Sequence, residues 1–417
     1  MTELTHRYCF VLGTNPLLSV MEIVSVLPDY AIISYSKEIL FIEGQKLDTK
    51  IISRLGGTIK IIKIHSEYSA AEFDADILVS ELVEVIVSHP SAIQSKVHFG
   101  LSIYDNNGDK SLIHRAAQSL RYLYINIKKS CREKNVNLAF INTKERQLAS
   151  ASVIKNKLCG EDGLEISLLI GKENILFGIT ESVQDIDNYT HYDVDRPVRD
   201  LVSGTTPPKL AKIMVNLASQ SQDATIIDPF CGSGTYIQEM ALLGFKNIYG
   251  SDNSPKAVND SRTNIQWLQE QVELNDINID IFVEDARSLT NVFNVGTMDA
   301  IVGEGYLGPA MTAMLKEDKL LRLIDELDKL YSESLSEFAK ILDNHGTIVL
   351  ALPMFKTLRG NRSLHLNQMI RKAGLKIDNR FDDFSKLYSQ FYSERGTAVY
   401  SRPDQLVQRE IVILKKI

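Results

Sequence analysis

The chain has no long apolar run. None of its 417 residues sits in a stretch approaching the roughly 18 apolar residues that a membrane-spanning helix needs, so no such helix is expected. The N-terminus, with Glu3 and Arg7 ahead of a short apolar strand, lacks the layout of a signal peptide. Cysteine is scarce. Cys9, Cys131, Cys159 and Cys231 lie far apart and form no C-x-x-C pair, which argues against a zinc knuckle and against a disulfide framework. No metal is expected, and the reducing cytoplasm is the expected compartment. Positive charge is also short overall: 46 Lys and Arg against 53 Asp and Glu leave a net −7, which speaks against a polyanion partner. The distribution changes that reading. Lys110 to Lys157 holds eleven Lys and Arg and only two acids, Glu133 and Glu145. A basic segment in an acidic chain is the footprint of a local polyanion site, although a charged solvated face is its plainer explanation.

What is present centres on Ala224-Thr-Ile-Ile-Asp-Pro-Phe-Cys-Gly-Ser-Gly-Thr235. A β-branched run ends in an acid, a glycine turn follows, and helical spacing begins at Tyr236. That is strand, tight turn and helix, the first unit of a parallel α/β sheet. Gly232 and Gly234 permit positive φ and a close approach of ligand to backbone. Asn247 to Asp252 is a second strand ending in an acid, with Ser254 and Pro255 suited to cap and open the next helix. Ile279 to Val283 runs into Glu284-Asp285-Ala286, and Met298 to Val302 into Gly303-Glu304-Gly305-Tyr306. Polar groups at four consecutive strand ends point to a ligand crevice. A single such acid also reads as a helix cap, which is the better reading of Asp285 taken alone; for the three acids together ligand binding is the better reading.

The turn lacks the third small residue of the G-x-G-x-x-G dinucleotide fingerprint. The Asp-Pro-Phe-Cys-Gly-Ser-Gly-Thr string instead resembles the first motif of S-adenosylmethionine-dependent methyltransferases acting on exocyclic amino groups. The resemblance implies a cofactor site of Asp228, Phe230, Gly232, Gly234, Thr235, Asp252, Asn253, Asp285 and Ala286. In it, Asp252 holds the ribose and Asp285 meets the adenine amine.

Upstream, Arg7 to about Lys63 has the β-α-β-β-α-β order of a ferredoxin-like sandwich. Lys96 to Tyr104 and Leu148 to Leu158 resemble the THUMP-type RNA-binding region of tRNA guanine-N2 methyltransferases acting on guanine at position ten. Val183 to Tyr189, Arg196 to Asp200 and Pro207 to Ala218 resemble that family's passage into its catalytic domain. The expected organisation is a ferredoxin-like domain over 1–70, a THUMP-type domain over 71–184, a polar linker over 185–200, and a seven-stranded Rossmann-like α/β methyltransferase domain over 201–417. Arg115, Arg121, Lys128, Lys129, Arg132, Lys155 and Lys157 are the candidate RNA contacts. The resemblance also implies tRNA as partner and allows a small zinc-containing subunit.

The pattern departs from the family at one place. Amino-methyltransferases carry Asp/Asn-Pro-Pro-Tyr after the fourth strand, where this chain has Gly303-Glu304-Gly305-Tyr306. Three readings stand: Glu304 accepts from the target amine with Tyr306 stacking on the flipped base, another RNA atom is methylated, or RNA and cofactor bind with little turnover. Rivals for the whole chain are a DNA amino-methyltransferase, a non-catalytic tRNA-binding protein and a nicotinamide dehydrogenase.

Overall fold

The computed structural model describes residues 5–72, 74–93, 96–141, 145–160, 163–199, 206–219, 221–403 and 405–417. Glu3 and Asp200, named above, lie outside them. The chain forms two compact units, one reaching Ile186 and one running from Asp187 to Ile417; Met21–Val26 and Arg54–Gly56 group with the second. No helix among the described residues is long and apolar enough to cross a membrane.

The first unit opens with β1 (His6–Leu12), α1 (Pro16–Val26), β2 (Ala31–Tyr35), β3 (Ile39–Gly44) and β4 (Thr58–Ser69). β1 pairs antiparallel with β3 and β4, and β3 with β2, giving the ferredoxin-like order β2-β3-β1-β4. The second helix that this order calls for is only a 3-10 stretch, Thr49–Arg54. So short a segment, stopped by Gly56-Gly57, cannot repay α-helix nucleation.

Then follow α2 (Ala75–Ser88), β5 (Val97–Asp105), α3 (Lys110–Glu133), β6 (Leu138–Phe140), α4 (Ser150–Lys155), β7 (Gly163–Ile170) and β8 (Asn174–Val183). Residues 1–70 and 71–184 do not form separate bodies. They share one eight-stranded sheet, because the 12-residue β4 pairs with β1 on one edge and β8 on the other. A buried ion pair spans the seam. Glu165, on the fully buried β7, accepts from Lys60 Nζ at 2.5 Å, Ser102 Oγ at 2.5 Å and Thr180 Oγ1 at 2.8 Å. A buried carboxylate so completely bonded fixes register across β4, β5 and β8.

The second unit begins in the segment expected as a linker. Most of that segment is helical, as α5 (Ile186–Val194). Its Tyr189 ring receives the ammonium groups of Lys209 and Lys212 at 4.9 and 4.7 Å, which holds the segment down despite its polar composition. Next come α6 (Pro208–Ala218), β9 (Thr225–Asp228), α7 (Thr235–Leu242), β10 (Asn247–Asp252), α8 (Pro255–Gln271), β11 (Asn278–Val283) and β12 (Met298–Glu304). The unit closes with α9 (Glu317–Ile341), β13 (Leu342–Thr357), β14 (Gly360–Ser363), α10 (Leu366–Ala373), β15 (Leu375–Ile377), β16 (Ala398–Tyr400) and β17 (Val407–Lys416).

The main path of the sheet is β11-β10-β9-β12-β13-β17-β15, with β14 added on β13 and β16 on β17. The first five strands are parallel and β17 runs against β13 and β15. Chain order reverses beside β9, so a crevice opens outside the carboxyl ends of β9 and β12. Below it, α9 buries Leu320, Ile324, Leu327, Tyr331, Leu335 and Phe338 against the sheet, as its apolar stripe requires. Ser254 Oγ accepts from Ala257 N at 3.3 Å and Pro255 opens α8, as the sequence indicates.

Candidate active site

A cleft of about 700 Å3 lies at the switch point. Phe230, Gly232, Thr235, Asp252, Asn253, Asp285, Ala286, Glu304 and Tyr306 line it, so four separate strand ends contribute. Asp228 and Gly234 are not on its wall. Gly234 (φ 87°) turns its Cα toward α8, where a Cβ would meet Ser261 Oγ at 2.5 Å; its role is helix packing. At Gly232 (φ 50°) a Cβ would make only an ordinary contact with Phe230 O at 3.9 Å, and the glycine leaves bare backbone at the cleft.

Asp228 is fully buried behind the turn rather than directed into the crevice. Its Oδ1 accepts from Phe230 N at 3.1 Å, and its Oδ2 has no partner among the described residues. Burial pushes this carboxyl well above the ordinary range, and the charges of Asp252 and Glu304 add to the shift. The space it fills belongs to the neighbouring strand. A Cβ at Gly303 would lie 2.3 Å from Asp228 Oδ1, which accounts for glycine where the family motif has an acid. Gly305 has a parallel cause: a Cβ there would lie 2.5 Å from Tyr331 Oη, which donates to the Tyr306 carbonyl at 3.1 Å.

Asp252 keeps free acceptor capacity. Its Oδ2 accepts from Gly232 N at 3.1 Å and its Oδ1 from Ser254 N at 2.9 Å, leaving lone pairs on both oxygens. Asp285 is more heavily engaged. Arg287 bonds it through Nε at 2.9 Å and Nη2 at 2.7 Å, which holds its carboxyl below the ordinary range.

Glu304 is the last residue of β12, so the carboxylate at this strand end is Glu304 itself. Arg409 on β17 grips both its oxygens, Nη2 to Oε1 at 2.9 Å and Nε to Oε2. The side chains are 9% and 6% exposed. Burial acts to lower the Arg409 pKa, but the bonds and charge of Glu304 outweigh it and hold it raised. The register explains the reach: Glu304 faces Ala351 on β13, and Ala351 faces Ile411, two residues from Arg409 on the same side of β17. The small alanine leaves room for the guanidinium to pass over. Tyr306, by contrast, is 53% exposed at the cleft rim.

Sequence reasoning missed Arg409, though an Arg-Glu pair inside the apolar strand Val407–Lys416 was a signal, since buried charges need partners. It also missed a strap behind the glycine turn. The buried Arg196 donates to Thr235 Oγ1 at 2.8 Å and Gln238 Oε1 at 3.4 Å. Asn264 binds Val198 through both its N–H and C=O, each at 2.9 Å, and donates to Ser233 O at 2.8 Å. Two of these three turn contacts hold residues of the cleft wall, Ser233 and Thr235.

In the first unit, α3 buries Leu112, Ala116, Leu123, Ile127 and Cys131 and turns Arg115, Arg121, Lys128, Lys129 and Arg132 to solvent. Lys155, in the last turn of α4, and Lys157 are exposed as well.

Residues 198–376 match the family model described as UPF0020: RMKL-like, methyltransferase domain. This match lies within the second unit. The chain is 32% identical over 171 residues to a protein of Methanothermobacter thermautotrophicus named tRNA (guanine(10)-N2)-dimethyltransferase, covering 40% of this chain and 45% of that one. A protein of Methanocaldococcus jannaschii with the same name is 32% identical over 129 residues, 30% of this chain and 35% of that one. The chain thus spans less than half the length of these two curated relatives. The crystal structure of TrmN from Thermus thermophilus superposes with a TM-score of 0.53 at 14% identity, covering 99% of this chain and 100% of that one, a likeness of fold. The cleft residues fit the cofactor of such a domain: bare backbone at Gly232 for close approach, and unspent carboxylate lone pairs at Asp252 for a diol.

Proposed function

We propose that the protein methylates the exocyclic N2 of a guanine in tRNA, position ten being the target that its relatives' names indicate, with S-adenosylmethionine as donor and the cytoplasm as its place of action. One observation carries the reading. The methyltransferase-type cleft ends in a carboxylate, Glu304, beside an exposed aromatic ring, Tyr306, and relatives named for this reaction match part of the chain. When bound, the cofactor supplies an electrophilic methyl group on a sulfonium sulfur. Asp252 would hold its ribose, Gly232 and Thr235 its amino-acid end, and Asp285 its adenine amine, with Phe230, Asn253 and Ala286 completing the walls.

The target amine is a poor nucleophile, because its lone pair is delocalised into the ring. Glu304, immobilised by Arg409, offers an acceptor at one N2 hydrogen, and a loop carbonyl near Gly305 offers another. Two acceptors favour the pyramidal geometry needed for in-line attack. Methyl transfer forms the N2–carbon bond, breaks the sulfur–carbon bond and releases one N2 proton. Tyr306 stacks on the extruded base, so Phe should serve there and Ala should not. Catalysis rests on positioning. Asp228 and Gly234 support the turn from behind. The basic face of α3, with Lys155 and Lys157, would hold tRNA phosphates, in the role the THUMP resemblance implies. The reading does not require a zinc-containing subunit.

The Glu304–Arg409 pair favours a second reading, binding of RNA and cofactor with little turnover, because both Glu304 oxygens already have a partner. Incubation with methyl-labelled S-adenosylmethionine and unmodified bulk tRNA, followed by nucleoside analysis, separates the two. N2-methylated guanosine supports the first; binding without label transfer supports the second.

A further inference from the structure

The second unit has another cleft, of about 760 Å3, which the methyl-transfer reading leaves without a use. Its walls come from the first turns of α9 (Leu321, Ile324, Asp325), from β14 and the residues after it (Arg362, His365), and from the segment before β16 (Tyr392, Glu394, Arg395). Met354 and Gln408, paired across β13 and β17, also line it. Met354 belongs to the carboxyl-terminal part of β13, so this cleft lies toward the same end of the parallel strands as the first. Arg409 and Gln408 point to opposite faces, as neighbours on a strand must. One serves Glu304 and the other serves this second cavity.

Two observations point to a ligand. The first is Gln408, which is 8% exposed and whose Oε1 has no hydrogen-bond partner among the described residues. A buried amide left open costs stability unless something occupies it. The second is the rim. Phe355 to His365 carries Lys356, Arg359, Arg362 and His365 with no acid in that stretch, and Leu358 at the hairpin tip is 94% exposed. His365 is taken up by Asp328 at 2.5 Å and Lys356 by the Arg402 and Pro403 carbonyls, so the two arginines are what the rim offers a phosphate. Glu317 approaches Arg359 and Arg362 only at 3.9 and 4.0 Å, and all three are exposed. Arg395 is fully committed to Glu410 and to the Leu364 carbonyl, which makes it part of the wall.

We propose that this cleft binds a nucleotide, with its phosphate at Arg362 and its base edge on the Gln408 amide. Leu321, Ile324, Met354 and Tyr392 supply the apolar and aromatic surface that a base needs, and side-chain amides read base edges through paired donor and acceptor. Asp325 and Glu394 are then acceptors for ribose hydroxyls or a base amine. As a unit of substrate RNA, the nucleotide would be a neighbour of the methylated one, so this assignment rests on the RNA reading above. A free mononucleotide presents the same chemistry.

The test uses the 417-residue protein, with S-adenosylhomocysteine added to saturation so that the first cleft is filled. Wild type, Gln408→Leu and Arg362→Glu are titrated with GMP, AMP, CMP and UMP, and separately with an unmodified tRNA transcript. Near-UV dichroism and S-adenosylhomocysteine affinity confirm folding; Gln408→Leu removes an unpaired polar atom and should melt no lower than wild type. The expected result is saturable binding of at least one mononucleotide by wild type, weakened about tenfold or more in both variants, with a similar loss for tRNA. Mononucleotide binding lost in the variants while tRNA affinity holds would keep the nucleotide site and assign it to a free ligand. No mononucleotide bound by wild type, with both variants at wild-type tRNA affinity, overturns the proposal. If wild type binds no tRNA, the RNA reading fails and the mononucleotide titration alone decides the cleft.

Discussion

Replacing Glu304 with Ala should do two things that a single substitution cannot separate, and a double-mutant cycle can. The side chain is buried and bonded at both oxygens to Arg409, itself 6% exposed. Removing it leaves a guanidinium inside the protein with no counter-charge. Breaking a buried pair from one side costs about 3–5 kcal/mol. At roughly 2–4 °C per kcal/mol for a unit of this size, melting should fall by about 10 °C. Arg409→Met alone should cost as much, because it strands the carboxylate near Asp228 and Asp252, whose like charges already act on one another. Replacing the pair together, as Glu304→Gln with Arg409→Met, should recover most of the stability, since apolar or neutral substitutes for a buried pair are tolerated. Turnover should not recover with it. Glu304→Gln alone keeps an acceptor and should retain partial activity, whereas Glu304→Ala should lose about 10²-fold or more, the scale of misplaced reacting groups. The assay is a melt and a single-turnover methyl transfer on wild type and each of the four variants. Full activity in Glu304→Ala would refute the acceptor role, and an unshifted melt would refute the buried pair.

Asp228 gives a pH signature. Burial raises its carboxyl above the ordinary 3.8, so the folded state holds that proton more tightly than the unfolded chain. Its contribution is complete below about pH 4 and is lost as pH rises through the folded value. Asp228→Asn should therefore melt higher than wild type at pH 8, with the gap closing toward pH 4; a gap independent of pH contradicts the assignment. Asp252→Ala should weaken S-adenosylmethionine binding by about 1–3 kcal/mol in calorimetry, and unchanged affinity would remove Asp252 from the ribose. Charge reversal at Lys128 and Lys129 should weaken tRNA binding and flatten its salt dependence by about 0.7 per lost phosphate contact, with cofactor affinity intact. An unaltered slope would make the face of α3 merely solvated.

The parts legible in the sequence were those whose signals are local. The first four parallel strands each run into a polar group at the carboxyl end, and the caps at Ser254 and Pro255 sit within one turn of their helix. β14 and β16 were missed because Gly360–Ser363 and Ala398–Tyr400 are too short to alternate. The 185–200 segment reads as a linker because its composition is polar; what anchors it is two side chains, Tyr189 and Arg196, whose partners come later in the chain. The Asp228 carboxyl was misplaced because a strand-end acid can turn to either side, and here the open side was made by a glycine on the adjacent strand. The Glu304–Arg409 pair needed register across three strands, which no single stretch encodes.

The central claim is methyl transfer to the exocyclic amine of guanine. The measurement that reaches it most directly uses two tRNA transcripts identical except at position ten, one with guanosine and one with inosine, which lacks that amine. Each is incubated with methyl-labelled S-adenosylmethionine and the protein, and nucleosides are then resolved. The account predicts label in N2-methylated guanosine from the first transcript and none at that position in the second. Equal label in both, or no label in either while tRNA and cofactor bind, would contradict it.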